Sequence, residues 1–172
     1  LTQKANIRIL KLEAISEPSQ NVIDFKKTSG GLLIQQADDA ILDKTTLNVV
    51  TDKAPAEDEI QDLIFAMKVV KHIKSNGIVL VKDGMTIGVG PGQVNRIWAV
   101  QNAIRQSHFD TKGAVMASDA FFPFDDCVTA AAEAGITAII QPGGSIHDDA
   151  SIEKANELGV AMVFTGMRHF KH

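Results

Sequence analysis

The sequence predicts an α/β layered domain built on a mixed sheet, and three observations carry that prediction. Ile78-Val-Leu-Val-Lys82, Ile136-Thr-Ala-Ile-Ile140 and Val160-Ala-Met-Val-Phe-Thr165 are short, almost wholly apolar runs. Such runs belong to strands covered on both faces. Stretches of helical spacing lie between them, which is the order of layered α/β domains. Asp83-Gly84 is a tight-hairpin dipeptide, so one strand pair runs antiparallel and the sheet is mixed. The 172 residues fit one domain over 1–172, and a 45% hydrophobic composition suffices for its core.

Taken in order, Ile7-Arg-Ile-Leu-Lys-Leu12 alternates and predicts a strand. Ser16 to Asn21 is turn chemistry. Val22 to Phe25 is apolar and fits either a loop or an edge strand, and Gly30-Gly31 leads into a strand over 32–36. A short strand follows at Leu47 to Thr51. Pro55 opens a long helix where its missing N–H costs nothing, and Glu57, Asp58 and Glu59 suit the positive end. Ile60, Leu63, Ile64, Met67, Val70 and Ile73 form its core stripe, and Phe65 and Val69 widen it to a second buried side. Asn76-Gly77 stops it. The hairpin of 78–82 and 85–89 comes next, then helices near 94–106, 125–133 and 149–158, the last two stopped by Gly135 and Gly159. A strand at Ala114 to Met116 breaks into the loop Asp119 to Asp126.

Composition removes several function classes. A net charge of −4 without a basic stripe leaves no nucleic-acid footprint. One cysteine, Cys127, permits neither a disulfide framework nor a cysteine zinc site, and the histidines lack helical metal spacing. The longest apolar run is too short for a bilayer and no signal peptide is visible, so the expected location is cytoplasmic. Leu1, in place of Met, is read as the start of a piece cut from a longer chain.

Four stretches could carry chemistry. The loop 119–126 sets Phe121, Phe122 and Phe124 among Asp119, Asp125 and Asp126. Rings beside carboxylates suit a flat polar ligand, and the competing reading is a helix entry capped by Asp125 or Asp126. Gly88-x-Gly-x-Gly before a helix could cradle an anion. Arg96, in that helix's first turn, opposes the dipole, so it either meets an anion or faces solvent. Pro142-Gly-Gly-Ser145 is a second strand-to-helix crossing, either a close backbone approach to a ligand or a plain turn. Asn76 reads as a left-handed helix cap or as an amide offered to a carbonyl. Arg168 and Phe170 end the chain, either as an exposed basic tail or delivered to the crevice at the strand ends.

Together these motifs resemble one family. Lys74-Ser-Asn-Gly-Ile, Ile87-Gly-Val-Gly-Pro-Gly-Gln-Val-Asn-Arg96, Ser118-Asp-Ala-Phe-Phe-Pro-Phe124, Gln141-Pro-Gly-Gly-Ser-Ile146 and Met167-Arg-His-Phe-Lys-His172 look like the C-terminal part of the bifunctional purine biosynthesis proteins. Those proteins join an AICAR formyltransferase to an IMP cyclohydrolase. The resemblance runs over the whole chain, Asp24-Phe-Lys and Gly30-Gly-Leu-Leu included. It implies a three-layer α/β/α, cytidine-deaminase-like subdomain that works in a homodimer. The N-terminal half of the formyltransferase and the cyclohydrolase domain lie in the missing remainder of the parent.

The activity it implies is transfer of a formyl group from 10-formyltetrahydrofolate to the 5-amino group of AICAR. By resemblance Asn76 holds the formyl oxygen and Asp126 lies near the formyl group. Arg96, Phe121, Arg168, Phe170 and His172 bind AICAR, and Ile97, Pro123, Phe124 and Ser145 line the folate pocket. Some members carry potassium near positions matching Ser75 and Asp119. Two departures stand out: Asp125 replaces a usual Arg, and Pro91 a common Ala. The family's catalytic Lys-His pair belongs to an earlier part of its chain, and Lys71-His72 lies outside that motif. The implied result is little or no turnover by this chain alone. A nucleotide-binding or regulatory module using the same pocket without chemistry is the other reading.

Overall fold

The computed structural model describes residues 6–10 and 22–171. Where one domain was expected, it divides into two compact units, Leu1–Ala40 and Ile41–His172.

In the first unit, residues 7–10 carry no regular structure, so the strand expected over 7–12 is absent there. Residues 11 and 12 and the turn expected at 16–21 lie outside the described residues. Strands β1 (Ile23–Thr28) and β2 (Gly31–Gln36) pair antiparallel, with Phe25 opposite Ile34. Ser29-Gly30 makes the turn, and that dipeptide between two runs containing apolar residues was the available signal.

The second unit holds β3 (Asn48–Val49), α1 (Glu57–Val70), β4 (Ile78–Lys82), β5 (Met85–Gly90), α2 (Arg96–Gln106), β6 (Val115–Ser118), α3 (Asp126–Glu133), β7 (Ala138–Gln141), α4 (Asp148–Leu158) and β8 (Ala161–Phe164). One six-stranded sheet runs in the order β3-β8-β7-β6-β4-β5. β6, β7 and β8 are parallel, while β4 runs against both β5 and β6, and β3 against β8. The sheet is therefore mixed, as the Asp83-Gly84 signal required. Both turn residues have positive φ, 53° and 70°, as a tight hairpin of this twist needs.

The strands alternate between two cores. Val79, Val81, Val115, Ala117, Ala138, Ile140, Ala161 and Val163 face α1, where they meet Leu63, Ala66, Met67 and Val70. Ile78, Leu80, Met116, Ile139 and Met162 face the layer of α2, α3 and α4. Helices on both faces make three layers, α/β/α. Each of Leu63, Met67 and Val70 is essentially fully buried, worth about 1.5–3 kcal/mol apiece.

Local corrections have simple causes. Helix α1 starts two residues after Pro55, with Ala56 at the cap, and the Glu59 carboxylate accepts the Ala56 N–H at 2.8 Å. Phe65 stays 38% exposed, so the second buried side expected there is not seen in this unit. Helix α2 begins at Arg96 rather than near Val94, because Asn95 Oδ1 accepts the Trp98 N–H at 3.0 Å.

Candidate functional site

β4 runs against β6, so its first residue, Ile78, lies opposite the last residue of β6, Ser118. The segment Ser75–Gly77, the loop after β6 and the first turn of α2 consequently meet at one edge of the sheet. That edge is at the carboxyl ends of β6, β7 and β8, where open α/β sheets bind ligands.

Arg96 is the centre of the cluster. It is 6% exposed and forms an ion pair with Asp119, itself fully buried. Its Nη1 also reaches the Gly77 carbonyl at 3.4 Å, and its Nη2 donates to Asn76 Oδ1 at 2.8 Å. The anion that Arg96 needed is thus a carboxylate of the same chain. Asp119 uses its second oxygen to accept the Ser75 hydroxyl at 2.5 Å. Its backbone carbonyl accepts the His169 N–H at 2.9 Å, and its N–H donates to Gly77 O at 3.3 Å.

Asn76 is held from two sides. Its Nδ2 and its backbone N–H both donate to Gln93 O, at 2.9 and 3.2 Å, and Gln93 N–H returns a bond to Asn76 O at 3.2 Å. With Oδ1 on Arg96, the way round the amide lies is determined. Asn76 is not a left-handed helix cap: Asp83 is the one non-glycine residue of positive φ among those described, and α1 ends six residues earlier. The Ser75–Asn76 peptide bond is cis. Gln93 is a site residue with no sequence signal, because it acts through its backbone.

The tail is fastened to this cluster. Ser75 N–H donates to Lys171 O at 2.9 Å, and Lys171 N–H donates to Ser75 Oγ at 3.2 Å. The Arg168 guanidinium lies over two rings, 6.0 Å from the centroid of Phe121 and 5.9 Å from that of Phe170. Arg96, Phe121, Arg168 and Phe170, far apart in sequence, therefore share one neighbourhood. His172 lies outside the described residues.

The three rings of the 119–126 loop separate by role. Phe122 is fully buried core, so its place in a ligand platform is corrected to packing. Phe121 sits with Arg168. Phe124 is 59% exposed and stacks on His147, with centroids 5.8 Å apart and planes at 23°. His147 N–H donates to Ser145 Oγ at 3.1 Å, so Phe124 and Ser145 belong to a second group of residues. His147 was missed, although its place two residues from Ser145 was the clue. Ile97 packs against the core beneath α2, and Pro123 joins Phe122 to Phe124. Asp125 precedes α3 without a side-chain cap, and the helix opens at Asp126, which is exposed.

The glycine run has a different purpose from the anion cradle expected of it. A Cβ on Gly88 would stand 2.4 Å from Ala103 O, and one on Gly90 1.9 Å from Ala99 O. These glycines let β5 lie directly against the backbone of α2. Gly143 likewise has the ring of Phe164 where a side chain would go.

Cys127 lies beneath the site. Burial pushes its thiol far up, the charge of Asp126 and a hydrogen bond to it add to the rise, and Arg96 opposes it. A thiol so raised is inert, and we expect no alkylation by iodoacetamide at pH 8 in the folded chain but full modification in denaturant, read by mass. The sign for stability follows. The folded thiol keeps its proton while the unfolded one loses it near its ordinary value of 9.0, so stability falls as pH rises past that value. Cys127→Ala is expected to lose that part of the alkaline decline, and identical pH profiles for both proteins would contradict it.

The residues implied for potassium are adjacent, yet Ser75 and Asp119 are turned toward each other and Asp119 already holds Arg96. A cation would have to share the carboxylate with a guanidinium, and the Ser75 oxygen already accepts the Lys171 N–H. As arranged, this pair does not fit the ion.

A sequence model of the family described as "AICARFT/IMPCHase bienzyme" matches residues 1–106. The chain is 62% identical to the bifunctional purine biosynthesis protein PurH of Acetivibrio thermocellus, over all of this chain and 34% of that protein. It is 59% identical to PurH of Caldicellulosiruptor bescii, over all of this chain and 33% of that one. The chain thus spans about a third of the length of the curated relatives it matches. Among solved structures, the dCMP deaminase of cyanophage S-TIM5 with dCMP and dUMP aligns at TM-score 0.44 and 19% identity, over 63% of this chain and 98% of that one. A diaminohydroxyphosphoribosylaminopyrimidine deaminase/reductase of Thermotoga maritima aligns at TM-score 0.42 and 23% identity, over 59% and 33%. No helix among the described residues is long and apolar enough to cross a membrane.

Proposed function

The chain belongs to the AICARFT/IMPCHase bienzyme family, and from that premise we propose that it supplies the C-terminal part of an AICAR formyltransferase site in purine biosynthesis. The observation that carries the reading is the convergence of Asn76, Arg96 and Asp119 with Arg168 between two rings. The parent works in the cytoplasm as a homodimer, with the rest of its own chain completing the site.

In the reaction, the bond from the formyl carbon to the folate nitrogen breaks and a bond to the AICAR amine forms. The amine proton ends on the folate nitrogen. That amine is conjugated into its ring and is a poor nucleophile, so the formyl oxygen must be polarised and the proton removed. One N–H of the Asn76 amide is held by Gln93 O, and the other is the donor we assign to the formyl oxygen. Arg96 keeps that amide in register. Asp126, exposed at the start of α3, is assigned to the folate side of the reacting centre. The proton acceptor is assigned to the missing remainder, so this chain alone binds without turnover.

Arg168, with His172, is assigned to the AICAR phosphate, and Phe121 and Phe170 to its flat ring. A guanidinium resting on ring faces suits an oxyanion at its edge. Ile97, Pro123, Phe124 and Ser145 are assigned to the folate wall. Calorimetric titration with AICAR tests this. Arg168→Ala is expected to weaken binding about 10- to 100-fold, the loss of a charge-assisted contact of roughly 1.5–3 kcal/mol. Unchanged affinity would remove Arg168 from the site, and no binding by the chain or by a full-length relative would remove the site. The pre-set contacts among Asn76, Arg96 and Asp119 also favour a second reading, a nucleotide-binding module without chemistry. It expects this chain to bind AICAR as tightly as a full-length relative does.

A further inference from the structure

The outer face of α2 carries a groove that the site above does not use. Gln93, Trp98, Gln101, Asn102 and Arg105 line a half-open hollow of about 470 Å³. This lies within the roughly 300–1,000 Å³ of small-molecule sites. Residues 98, 101, 102 and 105 follow helical spacing, so they share one side of the helix. The opposite side, with Ala99, Val100 and Ala103, is fully buried on the core.

The lining has a definite chemistry. Trp98, the single tryptophan of the chain, is 50% exposed. Arg105 is the only charged residue of the lining, and no carboxylate stands among those five residues. Its Nη2 donates to Asn102 Oδ1 at 2.6 Å, which holds the guanidinium on the groove side of the helix. Gln93 Nε2 donates to Pro91 O at 2.8 Å, so its side chain is also held in place. Gln101 adds an amide with a donor and an acceptor. A large ring face, one oriented guanidinium and amides at the margin complement a flat ring that bears a carboxylate. A flat cation would meet Arg105 with like charge. An aliphatic anion would leave the Trp98 face in water.

We propose that this groove is a second small-molecule site, which takes planar aromatic carboxylates by stacking on Trp98 and pairing with Arg105. It adjoins the first site through one residue. The backbone of Gln93 clamps Asn76, while its side chain lines the groove.

The single tryptophan makes the test direct. The Trp98 indole N–H signal is followed by NMR while 1-naphthoate is added, with the neutral 1-naphthamide as control. A saturable shift with 1-naphthoate is expected, and one at least about tenfold weaker with the amide, from loss of a charge-assisted bond. Arg105→Gln is expected to weaken 1-naphthoate binding about tenfold, measured by the same signal. Trp98→Leu is expected to abolish the heat of binding in calorimetry. Both substitutions are at exposed positions, and Arg168→Ala is expected to leave the groove unchanged, which separates this proposal from the AICAR reading. Non-saturating shifts, equal binding of acid and amide, or an unaffected Arg105→Gln would overturn it. So would self-association of the chain that Trp98→Leu abolishes, because the groove would then be covered by a second copy.

Discussion

Replacing Asp119 with alanine is expected to destabilise the second unit by about 3–5 kcal/mol, the usual result of removing one partner of a buried ion pair. The loss is not the value of the Arg96–Asp119 attraction. It is mainly the penalty of leaving the Arg96 guanidinium, 6% exposed, without a counter-charge. The same change frees the Ser75 hydroxyl, which donates to Asp119 at 2.5 Å. Two donors would then face a void lined by protein. Urea unfolding measures the effect, with the slope checked so that a change in midpoint reads as stability. A paired replacement, Asp119→Ala with Arg96→Met, removes both charges and is expected to recover much of the loss. A single variant as stable as the parent would mean that Arg96 relaxes into solvent and that the buried pair does not organise the cluster. The AICAR reading is tested in the same proteins, because a folded paired replacement keeps Arg168 between its rings but loses the Arg96 bond to Asn76, leaving Asn76 held by Gln93 alone.

Gly90→Ala is the second large effect. The added methyl would stand 1.9 Å from Ala99 O, 2.8 Å from Ala99 C and 3.0 Å from Ala103 N. All three are backbone atoms of α2, so no side chain can swing away. The helix must lift from β5, and its core face, with Ala99, Val100 and Ala103, lifts with it. Overpacking that moves backbone is expected to cost about 3 kcal/mol or more. Gly84→Ala is the control. Gly84 has nothing within 4 Å of a built Cβ and its φ is 70°, so only conformational strain of about 1 kcal/mol is expected. Equal thermal midpoints for the two alanine variants would show that α2 can shift freely on the sheet. The Gly90 effect also reaches function. Arg96 is the first residue of α2, so a lifted helix withdraws the guanidinium from Asp119 and Asn76.

The periodic parts of the fold were legible because local physics decides them. Apolar runs at 78–82, 136–140 and 160–165 became strands of the sheet, and Asp83-Gly84 became a turn whose two φ values are positive. The Gly159 stop took the left-handed cap it needs. Several boundaries moved by one or two residues, at α2 because Asn95 caps it. Site residues were legible by type only in part: Arg96 at the positive end of a helix fitted either an anion or solvent, and the structure chose the anion. Which anion was not legible, because Asp119 lies 23 positions away and is brought there by β4 running against β6.

What the sequence determined alone was the identity and order of the main elements of the second unit, the hairpin that mixes the sheet, and the resemblance that names a family. Those depend on neighbours within a few residues or on patterns of residue type. Tertiary structure decided the rest. It made Gly88 and Gly90 surfaces for helix packing, turned Phe122 into core while leaving Phe124 on the surface, and fastened the tail to Ser75 and Asp119. It also gave Gln93 a role through its backbone. The physical reason is that a glycine, a phenylalanine or a backbone carbonyl has no fixed meaning until another segment of chain arrives within a few ångströms of it.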